Sequence, residues 1–96
     1  IVHADTIKAY LFYGDGCPHC ADEKEFFKEY LKENDDVSLV KYEVWKNSDN
    51  RNIFSKVQDK LNDHQTGVPY LVIGNTVILG YTNGITDEKI ERFCNI

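Results

Sequence analysis

The chain has too few cysteines for a disulfide framework, only two prolines, and no apolar run approaching the ~20 residues that would cross a bilayer. Each scarcity excludes something. Three cysteines, a close pair plus Cys94, leave the fold to be stabilised by a hydrophobic core. Basic residues are also short: 11 against 16 acidic, a net charge of −5, with no basic cluster. Nucleic acid is therefore not expected as a partner, because affinity for it rests on Lys and Arg contacts to phosphates. An acidic surface keeps a small domain soluble and monomeric. No signal peptide is read at the start, since Ile1 to Thr6 is too short and holds His3 and Asp5. A mature or trimmed product would lack one too, so the compartment stays open. There are no repeats, low-complexity tracts or linkers, and the 96 residues suffice for one domain, residues 1–96.

What is present is an alternation of apolar runs and charged, helix-periodic segments. Ile7 to Tyr13 reads as a strand with both faces apolar near its end, as for a central strand. Gly14-Asp15-Gly16 closes it. Pro18 suits a first helical turn, where its missing N–H costs nothing. The helix continues with Phe26, Phe27, Tyr30 and Leu31 as its apolar stripe and Asp22, Glu23, Glu25, Lys28 and Lys32 towards water. Asn34-Asp35-Asp36 stops it. Val37 to Val44 is a second strand, parallel to the first because a helix connects them. Ser48 is read as the N-cap of a second helix, with Ile53, Phe54, Val57 and Leu61 on one stripe. Tyr70 to Ile73, a Gly74-Asn75 turn and Thr76 to Leu79 form a hairpin. Thr86 to Phe93 is a last helix with Ile85, Ile90, Phe93 and Cys94 towards the core. The order β-α-β-α-β-β-α predicts an α/β fold: one mixed four-stranded sheet with helices on both faces. Trp45, Tyr13 and the two phenylalanines of the first helix are expected as core or site walls.

The chemistry is expected at Cys17-Pro18-His19-Cys20, where a strand hands over to a helix. Unpaired N–H groups and the helix dipole at that end favour a thiolate at Cys17, lowering its pKa below the free value of about 8.5. His19, when protonated, adds to the effect; its bland alternative is an exposed spacer. Cys20, deeper in the helix, would resolve the mixed disulfide formed at Cys17. A structural zinc site would need about two more ligands, and His3, His64 and Cys94 are scattered. A c-type haem attachment would need His after the second cysteine, and residue 21 is alanine. Thiol redox chemistry is therefore favoured over metal binding. His3 and His64 are read as surface residues, and Cys94 as a small core residue rather than an accessible third thiol. Val68-Pro69 opens the third strand, where proline needs a reason. Either the bond is cis and turns the backbone beside another site, or an ordinary trans proline opens an edge strand. The upstream cysteine pair favours the first.

With these residues placed, residues 7 to 93 resemble a thioredoxin-superfamily domain of the small glutaredoxin-like kind. Cys17-Pro18-His19-Cys20 is similar to the active site of the periplasmic disulfide-forming oxidoreductases. The resemblance implies a thiol–disulfide oxidoreductase with Cys17 as nucleophile and Cys20 as resolving thiol. Gly67-Val68-Pro69 resembles the family's cis-proline loop, implying Val68 and Pro69, with Tyr13 nearby, as the substrate wall. Gly80-Tyr81 resembles the glycine that follows the hairpin. Three departures stand out. Leu11 stands six residues before Cys17, where thioredoxins and the large periplasmic oxidases carry a buried acid, so Glu23 or water would have to substitute. The inserted helical domain of the large oxidases is missing. The loop Thr82 to Asp87 matches a glutathione site only weakly, with Asp87 as a remnant and no basic pocket around Lys8 or Asp15. The resemblance implies protein thiols and a redox partner protein as partners and no cofactor beyond the disulfide itself, with glutathione as the alternative. A non-enzymatic redox-sensing or binding module is the other alternative. A secreted or envelope-facing bacterial setting is favoured, with the cytoplasm open.

Overall fold

The computed structural model of the chain describes residues 6–94; the expectation for His3 lies outside them. Seven elements follow in order: β1 (Ile7–Tyr13), α1 (Pro18–Glu33), β2 (Val37–Glu43), α2 (Ser48–Leu61), β3 (Tyr70–Ile73), β4 (Thr76–Leu79) and α3 (Thr86–Cys94). The strands form one sheet in the order β2-β1-β3-β4. β1 and β2 are parallel, with Ile7 opposite Val37 and Tyr13 opposite Glu43. β3 runs antiparallel to β1, with Phe12 opposite Tyr70, and β4 antiparallel to β3. This is the expected β-α-β-α-β-β-α architecture, with helices on both faces.

The two-residue period of the strands sorts their side chains into two cores. Ala9, Leu11, Leu71, Ile73, Ile78 and Val37 point to one face and pack with Phe27 and Tyr30 of α1 and Ile90 and Cys94 of α3. Phe12, Val44, Tyr70 and Val72 point to the other and meet Phe54, Val57 and Leu61 of α2. Aromatic rings fill this second core: Phe12 stacks on Phe54 at 4.6 Å and on Tyr42 at 5.2 Å, and Tyr70 meets Phe54 edge-on at 4.8 Å. β1 serves both cores, which is why its two faces are both apolar.

Four local readings are corrected. The N-cap of α2 is Asn47, whose side chain accepts from the Asn50 N–H at 3.0 Å; Ser48 is the first helical residue. The amide oxygen of Asn47 thus satisfies one of the free N–H groups of the first turn. Ile85, expected in the core, is 59% exposed, and Thr86 takes the buried place at the start of α3. The Thr86 hydroxyl accepts from the Thr82 N–H, which turns residue 86 inward and residue 85 out. Trp45, expected in the core or as a site wall, is half exposed, which removes the core alternative. Glu23, expected towards water, is fully buried. Among the described residues no helix is long and apolar enough to cross a membrane.

Candidate active site

Parallel strands deliver their carboxyl ends to one edge of the sheet, and loops at that edge meet. Here β1 ends at Tyr13 beside Glu43 of β2, and the ladder runs one step further as the Val44 N–H donates to the Tyr13 carbonyl at 2.8 Å. On the other side of β1, Phe12 lies opposite Tyr70, which brings the Val68-Pro69 loop to the same edge. The segment Gly14 to Cys20 leaves β1 between these neighbours. Gly16 turns it at φ +95°, a conformation that glycine adopts without a steric penalty.

Cys17 and Cys20 are joined in a disulfide, with Cα atoms 5.2 Å apart. Cys17 is the N-cap of α1, extended at φ −80°, ψ 118°. Its N–H donates to the Gly14 carbonyl at 3.0 Å, and its Sγ accepts from the Cys20 N–H at 3.1 Å. The sulfur thus takes the place of the usual capping oxygen, at the helix end where negative charge is favoured. The two cysteines differ in access: Cys17 keeps 7% of its surface and Cys20 none. Pro18 stands at the first helical position; Pro18 and His19 are both exposed. The bond between Val68 and Pro69 is cis, Pro69 is buried, and its carbonyl accepts from the Gly80 N–H at 2.8 Å. That hydrogen bond ties the loop after β4 to the loop before β3. Tyr13 is half-buried against the α1 side of the sheet, with Lys24 Nζ 4.1 Å from its ring centre.

α1 carries a buried acid. Cys20, Glu23, Phe27 and Tyr30 are the buried residues of that helix. Their spacing of three and four places them on one face, with Glu23 a single turn beyond Cys20. Both carboxylate oxygens of Glu23 are buried, with no hydrogen-bond partner among the described residues. Burial pushes its carboxyl up from 4.5 to about 8, and the charge of Asp87 adds to the rise. Asp87 comes from α3. One of its oxygens accepts from the Tyr81 hydroxyl and the other from the Gly84 N–H at 3.1 Å. Burial raises the Tyr81 hydroxyl, and its bond to Asp87 raises it further. Glu23, Tyr81 and Asp87 thus form one coupled group between α1 and α3. Position carried the signal for Glu23: a residue three after Cys20 and four before Phe27 shares their face, whatever its charge. Cys94 is buried on α3, and His64 is exposed beside Asp59 at 3.7 Å. Among the described residues no group of three or more His, Cys, Asp and Glu is placed to hold a metal ion.

The arrangement of sheet and helices is shared with known structures. The chain superposes on a glutaredoxin from Archaeoglobus fulgidus with a TM-score of 0.59 and 23% identity, over 91% of this chain and 85% of that one. Mitochondrial thioredoxin 3 of Saccharomyces cerevisiae, in its oxidised form, matches at 0.63 and 19%, over 95% and 78%. The fold is that of thioredoxins and glutaredoxins. Protein AGR_C_4864 from Agrobacterium tumefaciens matches at 0.69 and 17%, over 99% of this chain, which spans about half (48%) of that one. No protein-family model and no curated protein matches the chain.

Proposed function

We propose that the chain is a thiol–disulfide oxidoreductase that exchanges its Cys17–Cys20 disulfide with protein thiols through a mixed disulfide at Cys17. The observation that carries this reading is the disulfide at the capped N-terminus of α1, with Cys17 keeping a little surface, Cys20 enclosed, and a buried acid raised to about 8 one helical turn beyond Cys20. In the oxidising direction a substrate thiolate attacks Cys17 Sγ. The Cys17–Cys20 bond breaks, and the Cys20 thiolate takes the proton of the Glu23 carboxyl. A second substrate thiolate then attacks the substrate sulfur, and Cys17 leaves as a thiolate held by the helix end. The substrate loses two electrons and the cysteine pair gains them. The reverse sequence reduces a substrate disulfide, with the Glu23 carboxylate drawing the proton from Cys20. A carboxyl with a pKa of about 8 serves both directions near neutral pH, since both of its forms are populated there. His19 adds positive charge beside Cys17 when protonated, Pro18 starts the helix, and Val68, Pro69 and Tyr13 line the approach of the substrate chain.

Two variants test the reading. Cys20→Ser is expected to accumulate a stable mixed disulfide with a cysteine-containing peptide, located at Cys17 by mass spectrometry. Cys17→Ser is expected to form none. Adducts at neither cysteine would refute catalysis and leave a redox-sensing module. Turnover that needs glutathione, and does not occur with a dithiol, would make the protein a glutaredoxin. The equilibrium potential then gives direction: a value near the about −270 mV of thioredoxin fits a reductase, and a higher one an oxidase.

A further inference from the structure

Trp45 is the single tryptophan of the chain, and 52% of its surface is in water. Of the other large apolar residues that are exposed, Val40 and Leu79 lie on the edge strands β2 and β4, Ile53 lies on α2 and Ile85 just before α3. Trp45 instead follows β2 at the edge of the sheet where the disulfide stands. Its ring lies on Gly14, and a Cβ at Gly14 would overlap Cδ2, Cε2 and Cε3 of the indole. The Gly14 carbonyl in turn accepts the Cys17 N–H. The indole therefore sits one backbone hydrogen bond from the nucleophile, on the β2 side of Cys17, with the Val68-Pro69 loop on the β3 side.

The backbone that carries the ring is held by a dense set of bonds. The Trp45 N–H donates to Glu43 Oε2 at 3.1 Å, and Arg51 Nη1 donates to the Trp45 carbonyl at 3.0 Å and the Val44 carbonyl at 3.1 Å. Glu43 also accepts from the N–H groups of Asp15 and Lys46, both at 2.9 Å, so one carboxylate joins the loop after β1 to the loop after β2. Lys46 Nζ pairs with Asp15 at 3.0 Å across the same two loops. A rigid aromatic whose surface remains in water loses little entropy when a partner covers it. Three neighbouring charges have partners of their own: Glu43 three N–H groups, Asp15 the exposed Lys46, and Lys24 the Tyr13 ring. What this shelf offers a partner is an apolar π surface.

We propose that Trp45 is a specificity-determining residue that receives a large apolar side chain flanking the reacting cysteine of the substrate. This rests on the oxidoreductase reading and adds a substrate preference to it. Three peptide dithiols that differ only in the residue next to the first cysteine, leucine, glycine or lysine, are mixed with the oxidised protein. The second-order rate of peptide disulfide formation is then measured. Wild type is expected to prefer leucine to glycine by about tenfold, equivalent to about 1.4 kcal/mol. Trp45→Ala is expected to bring that ratio close to one, and Trp45→Phe to keep most of it. An unchanged ratio in Trp45→Ala, or a wild type that prefers lysine to leucine, overturns the proposal. Should wild type exchange with none of the peptides, the oxidoreductase reading fails. The shelf is then judged by the fluorescence of Trp45 with peptides carrying serine for cysteine. A blue shift with the leucine peptide and not with the glycine one supports it, and no shift overturns it.

Discussion

Glu23 lies one helical turn beyond Cys20 on the same face of α1, and neither residue has any surface in water. A carboxyl so placed makes the stability of the protein depend on pH. Folded, it holds its proton up to about 8; unfolded, it releases it near 4.5. Between those values the folded state binds more protons, so stability falls as pH rises. Glu23's contribution is fully present below about 4.5 and lost as pH passes about 8. Glu23→Gln has no proton to lose and is expected to remove this slope. At pH ~8.5 it should be more stable than wild type by at least about 2 kcal/mol, since each tenfold difference in proton affinity between the folded and unfolded carboxyl corresponds to about 1.4 kcal/mol. Urea titrations of the oxidised proteins across the window check this, and parallel pH profiles for the two would refute it.

The same pair sets a kinetic expectation. Release of substrate from Cys17 in the reducing direction requires Cys20 to lose a proton while it attacks. Glu23→Gln keeps the shape of the side chain and removes the base. The decay of a preformed mixed disulfide at Cys17 should slow about 10- to 100-fold at neutral pH, and its rate should lose the rise with pH that wild type shows approaching 8. Rapid-mixing measurements at several pH values decide it. A structural role alone would leave the shape of the pH profile unchanged.

The position of Glu23 also shows how far this chain can be read from its residues. The strands and helices were legible because each apolar pattern was consistent with its surroundings: two-sided in β1 and β2, helical in α1, broken by Gly74-Asn75 at the hairpin. The disulfide site was legible because two thiols at that spacing, at a strand-to-helix junction, have few other uses. Glu23 was misplaced because its charge was weighed above its position. Trp45 was given to core or wall on its size, and its half-exposed ring against Gly14 removes the core alternative. Ile85 was given to the core on hydropathy alone, while the Thr86 hydroxyl decides which residue turns inward. In each case a tertiary contact settled what local pattern left open.

Glu43 joins the loops on either side of the disulfide by accepting three backbone N–H groups. These bonds, that of Asp15 first, hold its carboxyl below 4.5, against burial and the charge of Asp15. The sign is opposite to that of Glu23. The unfolded state takes up a proton near 4.5 and the folded state only at lower pH, so the stabilisation is present above about 4.5 and lost as pH falls through the lowered value. Glu43→Gln keeps one acceptor oxygen and loses the charge. Hydrogen exchange at the amides of Asp15, Trp45 and Lys46 should accelerate together in this variant at neutral pH, and much less at acid pH, where wild type loses the same charge. Acceleration of only one of the three would mean that the loops are held separately.

Access should rank the three thiols of the reduced protein. Cys17 caps a helix and is partly reachable; Cys20 is enclosed; Cys94 is buried on α3, and that burial raises its thiol above 9.0. A brief pulse of iodoacetamide at pH ~7 is expected to modify Cys17 alone. The other two should react only in denaturant. Early modification of Cys94 would place it among the working thiols.

Gly14 and Trp45 should behave as one unit. Gly14 has no positive φ, and the nearest obstacle to alanine there is the indole that occupies the place of its Cβ. Gly14→Ala must push the ring off the loop and into water. The variant should be less stable than wild type by roughly 1 kcal/mol or more, and its single tryptophan should emit further to the red. Removing the ring removes the obstacle. In a Trp45→Ala background the same alanine at Gly14 should therefore cost almost nothing, giving a coupling of about 1 kcal/mol in a double-mutant cycle. Additive effects would mean that the loop resists alanine for a reason of its own. With the cycle closed, the peptide preference can be read again: Gly14→Ala should lose the leucine preference while Cys17, Cys20 and Trp45 are all present. That result would separate the position of the ring from its mere presence.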